Sequence, residues 1–239
     1  MGEAAPSRLE LARGVLRRVE ERAGGGPSPA DPRVLPVSEP LAPLLPGGGL
    51  RRGSTVAVAA GPGATSLLFA LLAEASAGGA WVGVVGRPEL GLVAATEAGL
   101  RLERLALVPR PGPELVAVTS ALLDGLDVVA VAGAERAGVR AAGRQRLAAR
   151  ARQRGSVLLA LGPWPGADVE LGCAGLRWQG VGSGAAGGSG RLCARRVDVQ
   201  LRGRGVAPGG RRAALLLPAP CGGIAAEPEV ERVSVRVAG

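Results

Sequence analysis

Hydrophobic residues in the first two thirds of this chain fall into short continuous runs separated by longer stretches of helical length. The continuous runs, typical of strands buried on both faces, lie at residues 55–59, 80–85, 105–108, 127–131 and 156–161. The stretches with helical character lie between them, at residues 67–77, 88–99, 113–123 and 139–154. Strands that alternate with helices predict an α/β fold, with a mostly parallel central sheet flanked by helices.

The pattern changes after Pro163. Short segments with alternating hydrophobic and polar residues follow one another, joined by glycine-rich turns, at residues 168–172, 176–179, 192–201 and 212–217. Residues 180–190 (GVGSGAAGGSG) have low complexity and the composition of a hairpin tip. We therefore expect an antiparallel C-terminal β extension of the sheet.

Both ends of the chain differ from the region between them. Residues 7–23 predict a helix that begins with a capping box formed by Ser7 and Glu10. Its apolar stripe contains Leu9, Ala12, Val15, Leu16 and Val19. Residues 24–33 form a Gly- and Pro-rich linker, so the helix either packs back on the domain or docks a partner.

The C-terminal tail at residues 219–239 has valines at near-alternating positions. They are Val230, Val233, Val235 and Val237. Such a segment forms a strand by itself or stays unstructured until a partner supplies a sheet edge. The predicted organisation is an N-terminal helix (1–23), a linker (24–33), one domain (34–218) and a tail that is a candidate for partner binding (219–239).

Composition narrows the chemistry. The chain has a net charge of +9 and contains no lysine, so its basic side chains are all arginine. This charge indicates either an anionic partner or a bias in coding composition. The chain contains no histidine, which excludes histidine general bases and histidine metal ligands. With one Phe, three Trp and no Tyr, a stacking platform for single-stranded bases is not expected either.

Targeting signals are not evident in the sequence. No apolar run reaches the length of a membrane span, and the N-terminal residues lack the hydrophobic region of a secretion signal. The three cysteines lack the spacing of a metal or redox motif. A cytoplasmic protein without a metal site is therefore expected.

The stretch at residues 55–77 has the order strand, glycine turn, helix that a phosphate-binding loop requires. The motif G-x-x-x-x-G-K-[ST] cradles phosphates with backbone N–H groups, a lysine and a Mg²⁺-binding hydroxyl. Counting from Gly61, the second glycine is replaced by Ser66, the lysine by Leu67 and the hydroxyl residue by Leu68. The sequence therefore predicts the frame of a nucleotide site without its charge.

Several segments in order resemble the RecA recombinase family, and more closely its shortened bacterial branch, the ImuA-type accessory proteins of mutagenic DNA synthesis. They are LPVSEPLAPLLPGGGLRRGSTVAVAAGP (35–62), GLRLERLALVPRPGPELVAVTSALLDGLDVVAV (99–131), GRLCARRVDVQLRGRG (190–205) and RRAALLLP (211–218). The resemblance covers about residues 34–218 and implies a RecA-like core for that domain.

Matched to the family's motifs, the catalytic positions are degenerate. The Walker B aspartate falls on Ala132, and the only candidate for the water-polarising glutamate, Glu89, is one position off. Without metal ligand and phosphate lysine, phosphoryl transfer loses its electrostatic stabilisation, so neither ATP hydrolysis nor a bound cofactor is expected. Weak nucleotide binding through Gly61, Gly63 and the dipole of the following helix stays an alternative to a site filled by Leu67 and Leu68.

The resemblance implies a non-catalytic scaffold in damage-induced (SOS) translesion DNA synthesis. The implied partners are an ImuB-type inactive Y-family polymerase-like protein and, indirectly, an error-prone C-family DNA polymerase, with nucleoid association. The candidate docking residues are Leu9, Val15, Leu16 and Val19 near the N-terminus and Val230, Val233, Val235 and Val237 in the tail. A SulA-type cell-division inhibitor is an alternative within the same class of RecA-like remnants.

A further alternative is a DNA-binding module. Two arginine series at i, i+4 spacing predict a basic helix: Arg136, Arg140 and Arg144, and then Arg146, Arg150 and Arg154. Such a helix either contacts phosphates or forms a solvated face. The intervals that correspond to the DNA-binding loops of recombinases, 133–155 and 162–166, are short, so strand exchange is not expected.

Overall fold

The computed structural model describes residues 9–10, 13–14, 33–181 and 190–227. The helices are α1 (Ala64–Ala77), α2 (Leu92–Glu97), α3 (Leu115–Leu123) and α4 (Ala141–Arg154). The strands are β1 (Val34–Pro36), β2 (Gly49–Arg51), β3 (Thr55–Val58), β4 (Val82–Val85), β5 (Leu105–Val108), β6 (Val128–Ala132), β7 (Val157–Leu161), β8 (Val169–Val181), β9 (Gly190–Gly203), β10 (Arg211–Leu216) and β11 (Ala225–Ala226).

Most strands belong to one mixed sheet. Within the described residues its order is β11-β10-β9-β8-β3-β7-β6-β4-β5. The strands from β8 across to β5 run parallel to their neighbours, whereas β8, β9, β10 and β11 pair antiparallel. The predicted α/β class, with a mostly parallel sheet and an antiparallel C-terminal extension, is confirmed.

Side chains alternate between the two faces of the parallel strands, and helices cover both faces. On β6, Val128 and Ala130 pack in the layer that contains α1, whereas Val129 and Val131 pack with α3 and α4. Because both faces are covered, all five residues of β6 are buried. This explains why the run at residues 127–131 is continuously apolar rather than alternating.

The segment before β3 closes one side of the α1 layer. β1 and β2 pair antiparallel, and a 3₁₀ turn at Glu39–Leu41 lies between them. Leu41 is fully buried and Leu44 is 2% exposed. The proline-punctuated lead-in therefore belongs to the core of the domain.

The antiparallel part differs from the predicted segments in two ways. The segments expected at 168–172 and 176–179 form one strand, β8, because a register shift between Ala174 and Arg177 absorbs the turn-like Gly175. The sheet also extends beyond the predicted domain boundary at Pro218, since Ala225 and Ala226 pair with β10. An ion pair of 2.6 Å joins Glu227, directly after β11, to Arg196 on β9, across the intervening strand β10.

Much of the two predicted docking elements lies outside the described residues. In the N-terminal segment, residues 9–10 and 13–14 are helical. Val15, Leu16 and Val19 lie outside the described residues, as do the four valines of the tail. In the part of the chain that the structure describes, no helix combines the length and apolarity needed to cross a bilayer.

Candidate functional site

The glycine turn lies at the carboxyl end of β3, directly before α1. Gly61 and Gly63 have φ angles of 141° and 90°, which favour glycine, and Gly63 is the N-cap of α1. A Cβ atom at Gly63 would lie 3.1 Å from Cβ of Cys173 on β8. The turn is thus packed against the neighbouring strand, and burial raises the pKa of the Cys173 thiol while Arg195 offsets part of the rise.

Leu67 and Leu68 occupy the positions of the phosphate lysine and the Mg²⁺ hydroxyl. Both side chains are completely buried and belong to the core layer between α1 and the sheet. The Leu67 amide already donates a hydrogen bond of 2.8 Å to the Gly63 carbonyl, as part of the first turn of the helix. These two positions therefore contribute apolar packing where the working motif contributes charge and metal coordination.

A pocket of about 180 Å³ opens at the carboxyl ends of β3, β6 and β7. This edge is where parallel α/β sheets bind their ligands. Gly61 and Ala132 line the pocket together with Trp164. Ala132, at the position of the Walker B aspartate, is the last residue of β6 and only 5% exposed. The pocket has the location of a nucleotide site but no carboxylate at the metal position.

The charged residues that line this pocket are not at the phosphate-loop or Walker B positions. Arg87, which follows β4 after Gly86, donates a hydrogen bond to Thr65 Oγ1 on α1, and Glu135 and Arg136 also line the pocket. Glu89 is exposed and is not among the lining residues. Arg87 lies two residues after the predicted strand at 80–85, so its position at the carboxyl edge could have been inferred from the sequence.

The backbones at the ends of β4 and β6 lie so close together that position 86 has no room for a side chain. A Cβ atom at Gly86 would lie 2.3 Å from the Ala132 carbonyl oxygen. Gly86 also has a φ of 77°. This contact places Arg87 beside the loop that follows β6. In the described segments, no group of three Cys, Asp or Glu side chains could bind a metal ion. Arg87 and Arg136 can attract an anion to the pocket, and Glu135 is the carboxylate among its lining residues.

The predicted basic helix is divided by the structure. Asp124, after α3, accepts a hydrogen bond of 2.7 Å from Arg150 and one of 3.1 Å from Arg154. Burial pushes the pKa of Asp124 upward, but the hydrogen bonds from both guanidinium groups outweigh it and lower the pKa below its ordinary value. Asp124 thus pairs with two of the six arginines predicted to contact phosphate, and its single carboxylate offsets one of their two positive charges.

Of the first arginine series, Arg144 alone lies on α4, which corrects the prediction of one basic helix for all three. α4 begins at Ala141, so Arg136 is in the preceding loop and Arg140 is the N-cap. Arg144 points toward the core, with its guanidinium carbon 5.6 Å from the centre of the Trp164 ring. Arg140 and Arg146 are exposed. The backbone turn at Gly138, with φ of 62°, separates the loop from the helix.

One contact near the glycine turn had no signal in the sequence. Arg195 on β9 donates a hydrogen bond of 2.9 Å to the hydroxyl of Ser66 on α1. Its Nε donates to the Leu217 carbonyl at 2.9 Å, and the guanidinium stacks 5.2 Å from the centre of the Trp178 ring. The residue at the second glycine position of the motif is thus tied to the antiparallel extension.

The structure is an α/β protein with a glycine turn at the carboxyl end of β3 and a pocket beside it. The model of the MT3502 N-terminal domain family matches residues 43–166, and the chain belongs to this family. The match covers β2, the parallel strands β3 to β7 and the pocket at their carboxyl ends. The chain is also 35% identical over 207 residues to a Mycobacterium tuberculosis protein with the name "Uncharacterized protein Rv3395c". That similarity covers 84% of this chain and 95% of the relative, so it extends beyond the residues that the family model matches.

Proposed function

We propose that this protein is a non-catalytic, RecA-like scaffold of ImuA type, acting in damage-induced translesion DNA synthesis. It links an ImuB-type inactive Y-family polymerase-like protein to an error-prone C-family polymerase at the nucleoid. Its RecA-like frame serves to display docking surfaces, and its nucleotide site has become part of the core.

The single observation that carries the proposal is the complete burial of Leu67 and Leu68. A triphosphate needs a cation and a metal-binding hydroxyl at these two positions, and neither leucine can leave the core without opening a cavity. Ala132 supports the same conclusion, since it offers a methyl group where the metal ligand would stand. The strand, glycine turn and helix that remain therefore support a structural role for this region rather than ATP hydrolysis.

The arrangement of the sheet further supports a scaffold. The glycine turn keeps its location at the carboxyl edge of parallel strands, although the chemistry of the site is gone. Arg195 and Ser66 connect this region rigidly to β9, so the parallel core and the extension form one body. A rigid body of this kind suits a protein that holds two partners at a fixed separation.

The experiment is co-purification of the full chain, carrying an affinity tag, from its native host after DNA damage. We expect the ImuB-type protein and the C-family polymerase to be retained. Removal of residues 228–239 should abolish the retention of both partners. It should leave thermal stability unchanged, because β11 and the ion pair between Glu227 and Arg196 remain. A host that lacks the gene should lose damage-induced mutations, and the shortened chain should not restore them.

Retention of a cell-division protein in place of the polymerases would contradict the proposal and favour the SulA-type alternative. Unchanged retention by the shortened chain would exclude the tail as the docking element. A clear rise in melting temperature with ATP and Mg²⁺ would contradict the conclusion that Leu67 and Leu68 prevent nucleotide binding, since a ligand stabilises only the state that binds it.

A DNA-binding module is the second candidate, supported by the exposure of Arg140 and Arg146 on and before α4. It requires an affinity for single-stranded DNA that falls by roughly one log unit per log of salt for each phosphate contacted. Because Asp124 already pairs Arg150 and Arg154, few arginines of this helix are available. We therefore rank this function below the scaffold.

A further inference from the structure

A second and larger pocket, of about 360 Å³, lies at the amino-terminal end of β3, opposite the glycine turn. Its lining includes Arg51, Arg52, Arg152 and Arg204 together with Asp168. Buried apolar side chains from Leu45, Val56 and Val169 contribute the rest of its wall. Four arginines and one aspartate thus line a concave site of a size that accommodates a small molecule.

Backbone contacts bring two of these arginines together from distant parts of the chain. Arg51 begins a tight turn in which its carbonyl accepts a hydrogen bond from the Ser54 amide at 3.2 Å and from the Ser54 hydroxyl at 2.6 Å. Gly53, with φ of 78°, lies directly against α4, so that a Cβ atom there would be 3.3 Å from Cα of Arg152. The turn and the last part of α4 therefore form one wall.

The other two arginines are already paired. Arg52 forms an ion pair of 2.8 Å with Asp127, and Arg204 lies 3.7 Å from Asp168. Asp168 also accepts a hydrogen bond of 2.9 Å from the Thr55 amide, which fixes its carboxylate at the rim. These two acids balance two of the four charges.

Arg51 and Arg152 are exposed, and within residues 33–181 and 190–227 no ion pair involves either of them. Two positive charges at one pocket repel each other unless an anion lies between them. The planar guanidinium fork is suited to phosphate oxygens, which it binds with two parallel hydrogen bonds. The apolar wall can take up a part of the ligand that carries no charge.

We propose that this pocket binds a small phosphorylated molecule of about mononucleotide size, with its phosphate between Arg51 and Arg152 and its body against Val56 and Val169. The site is independent of the proposed scaffold function and of the degenerate phosphate loop, which lies at the other end of β3. No Mg²⁺ is required, because the guanidinium groups supply the charge.

The test is isothermal titration of the full chain with pyrophosphate and with each nucleoside monophosphate, at about 150 mM salt, where loose surface attraction is screened. We expect saturable binding by at least one monophosphate. The double variant Arg51→Gln/Arg152→Gln should weaken it at least about tenfold, since both bidentate contacts are lost. Arg146→Gln, an exposed arginine on the same helix, is the matched control and should change the affinity less than about twofold.

A second measurement does not depend on the variants folding. Arginine-specific chemical modification of the unaltered chain, followed by peptide mass spectrometry, should show Arg51 and Arg152 protected by the bound monophosphate while Arg146 is modified as before. The proposal is overturned if no small probe binds, if the double variant binds as well as the parent, or if a single-stranded oligonucleotide binds while every small probe fails. The last outcome would assign the arginines to a nucleic-acid surface.

Discussion

The guanidinium of Arg195 donates a hydrogen bond to the hydroxyl of Ser66 at 2.9 Å, although 129 positions separate the two residues. Ser66 stands where the phosphate-loop motif has its second glycine, so a side chain at this position now bonds to the antiparallel extension. The contact joins α1, which covers the parallel core, to β9. The half of the chain that the family model covers is thereby coupled to the half that follows it.

Replacement of Arg195 by alanine should destabilise the protein by roughly 2–3 kcal/mol, because it removes the hydrogen bonds to Ser66 and Leu217 and the stacking on Trp178. Ser66→Ala should cost about 1 kcal/mol, and the double variant should reveal a coupling of about 0.5–1.5 kcal/mol. Urea unfolding of the three variants measures these values. Arg191→Ala, an exposed arginine on the same strand, should change stability by less than about 0.5 kcal/mol. A coupling near zero would show that the contact does not join the two halves.

Restoring the lysine of the motif should fail to restore nucleotide binding. Leu67→Lys places an ammonium group in a completely buried position, so we expect a loss of at least about 3 kcal/mol of stability. Leu67→Met, which keeps the volume and the apolar character, should cost less than about 1.5 kcal/mol. Thermal unfolding with and without ATP and Mg²⁺ measures both the stability of each variant and its binding of the nucleotide. If the lysine variant is stable and its melting temperature rises with ATP and Mg²⁺, the site can bind a nucleotide and this prediction is wrong.

Gly86 should be far more sensitive to alanine than another glycine of similar backbone conformation. Gly86→Ala would place a Cβ atom 2.3 Å from the Ala132 carbonyl oxygen, whereas Gly138, with φ of 62°, has open space around it. Gly138→Ala should therefore cost only the left-handed backbone penalty of about 1–2 kcal/mol. Gly86→Ala should cost at least about 2 kcal/mol more than this control, because β4 and β6 must separate. If chemical denaturation shows that Gly86→Ala and Gly138→Ala lose the same free energy of unfolding, the ends of β4 and β6 can move apart freely.

The stability contribution of Asp124 should depend on pH. Its pKa is lower in the folded protein than in the unfolded chain, because Arg150 and Arg154 stabilise the carboxylate. The contribution is therefore fully present above the unfolded pKa, near 3.8, and is lost as the pH falls through the folded pKa. Asp124→Asn should lower the melting temperature by about 1–4 °C at neutral pH.

The gap between Asp124→Asn and the parent should begin to narrow near pH 3.8 and close once the pH lies below the lower folded pKa, where both forms lack the charge. Melting curves across the acid range measure it, and Asp198→Asn, an acid paired with Arg196 on β9, is a control from another part of the sheet. A gap that persists unchanged at low pH would mean that the asparagine acts through packing and not through the lost ion pairs.

The sequence was sufficient for the parallel half of the fold. Residues 105–108 were predicted as a strand with the bounds that β5 has, and α4 begins two residues after its predicted start. These elements follow from local periodicity, since a strand buried on both faces must be apolar at every position. The departures from the motif at Leu67 and Leu68 could also be read directly, because a phosphate loop has a fixed spacing, whereas the match of Ala132 to the Walker B aspartate depended on the family resemblance.

Other features required the three-dimensional arrangement. The single strand β8 was split at Gly175 in the sequence reading, since a glycine inside a strand and a glycine in a turn have the same local signal. The arginines of the predicted basic helix looked equivalent along the chain. Only the packing of α3 against α4 showed that Asp124 pairs two of them and that Trp164 takes up a third.

What the sequence alone determined about this protein is the order of its elements, its α/β class and the absence of the phosphate-loop lysine and hydroxyl after its glycine turn, because each depends on residues close together in the chain. The tertiary structure decided which distant residues lie together. Arg195 on β9 reaches Ser66 on α1, and Arg51 and Arg152 line one pocket, because the packing of α1 and α4 against the sheet brings these elements close. Such contacts depend on the packing of whole elements, and no local pattern of residues encodes them.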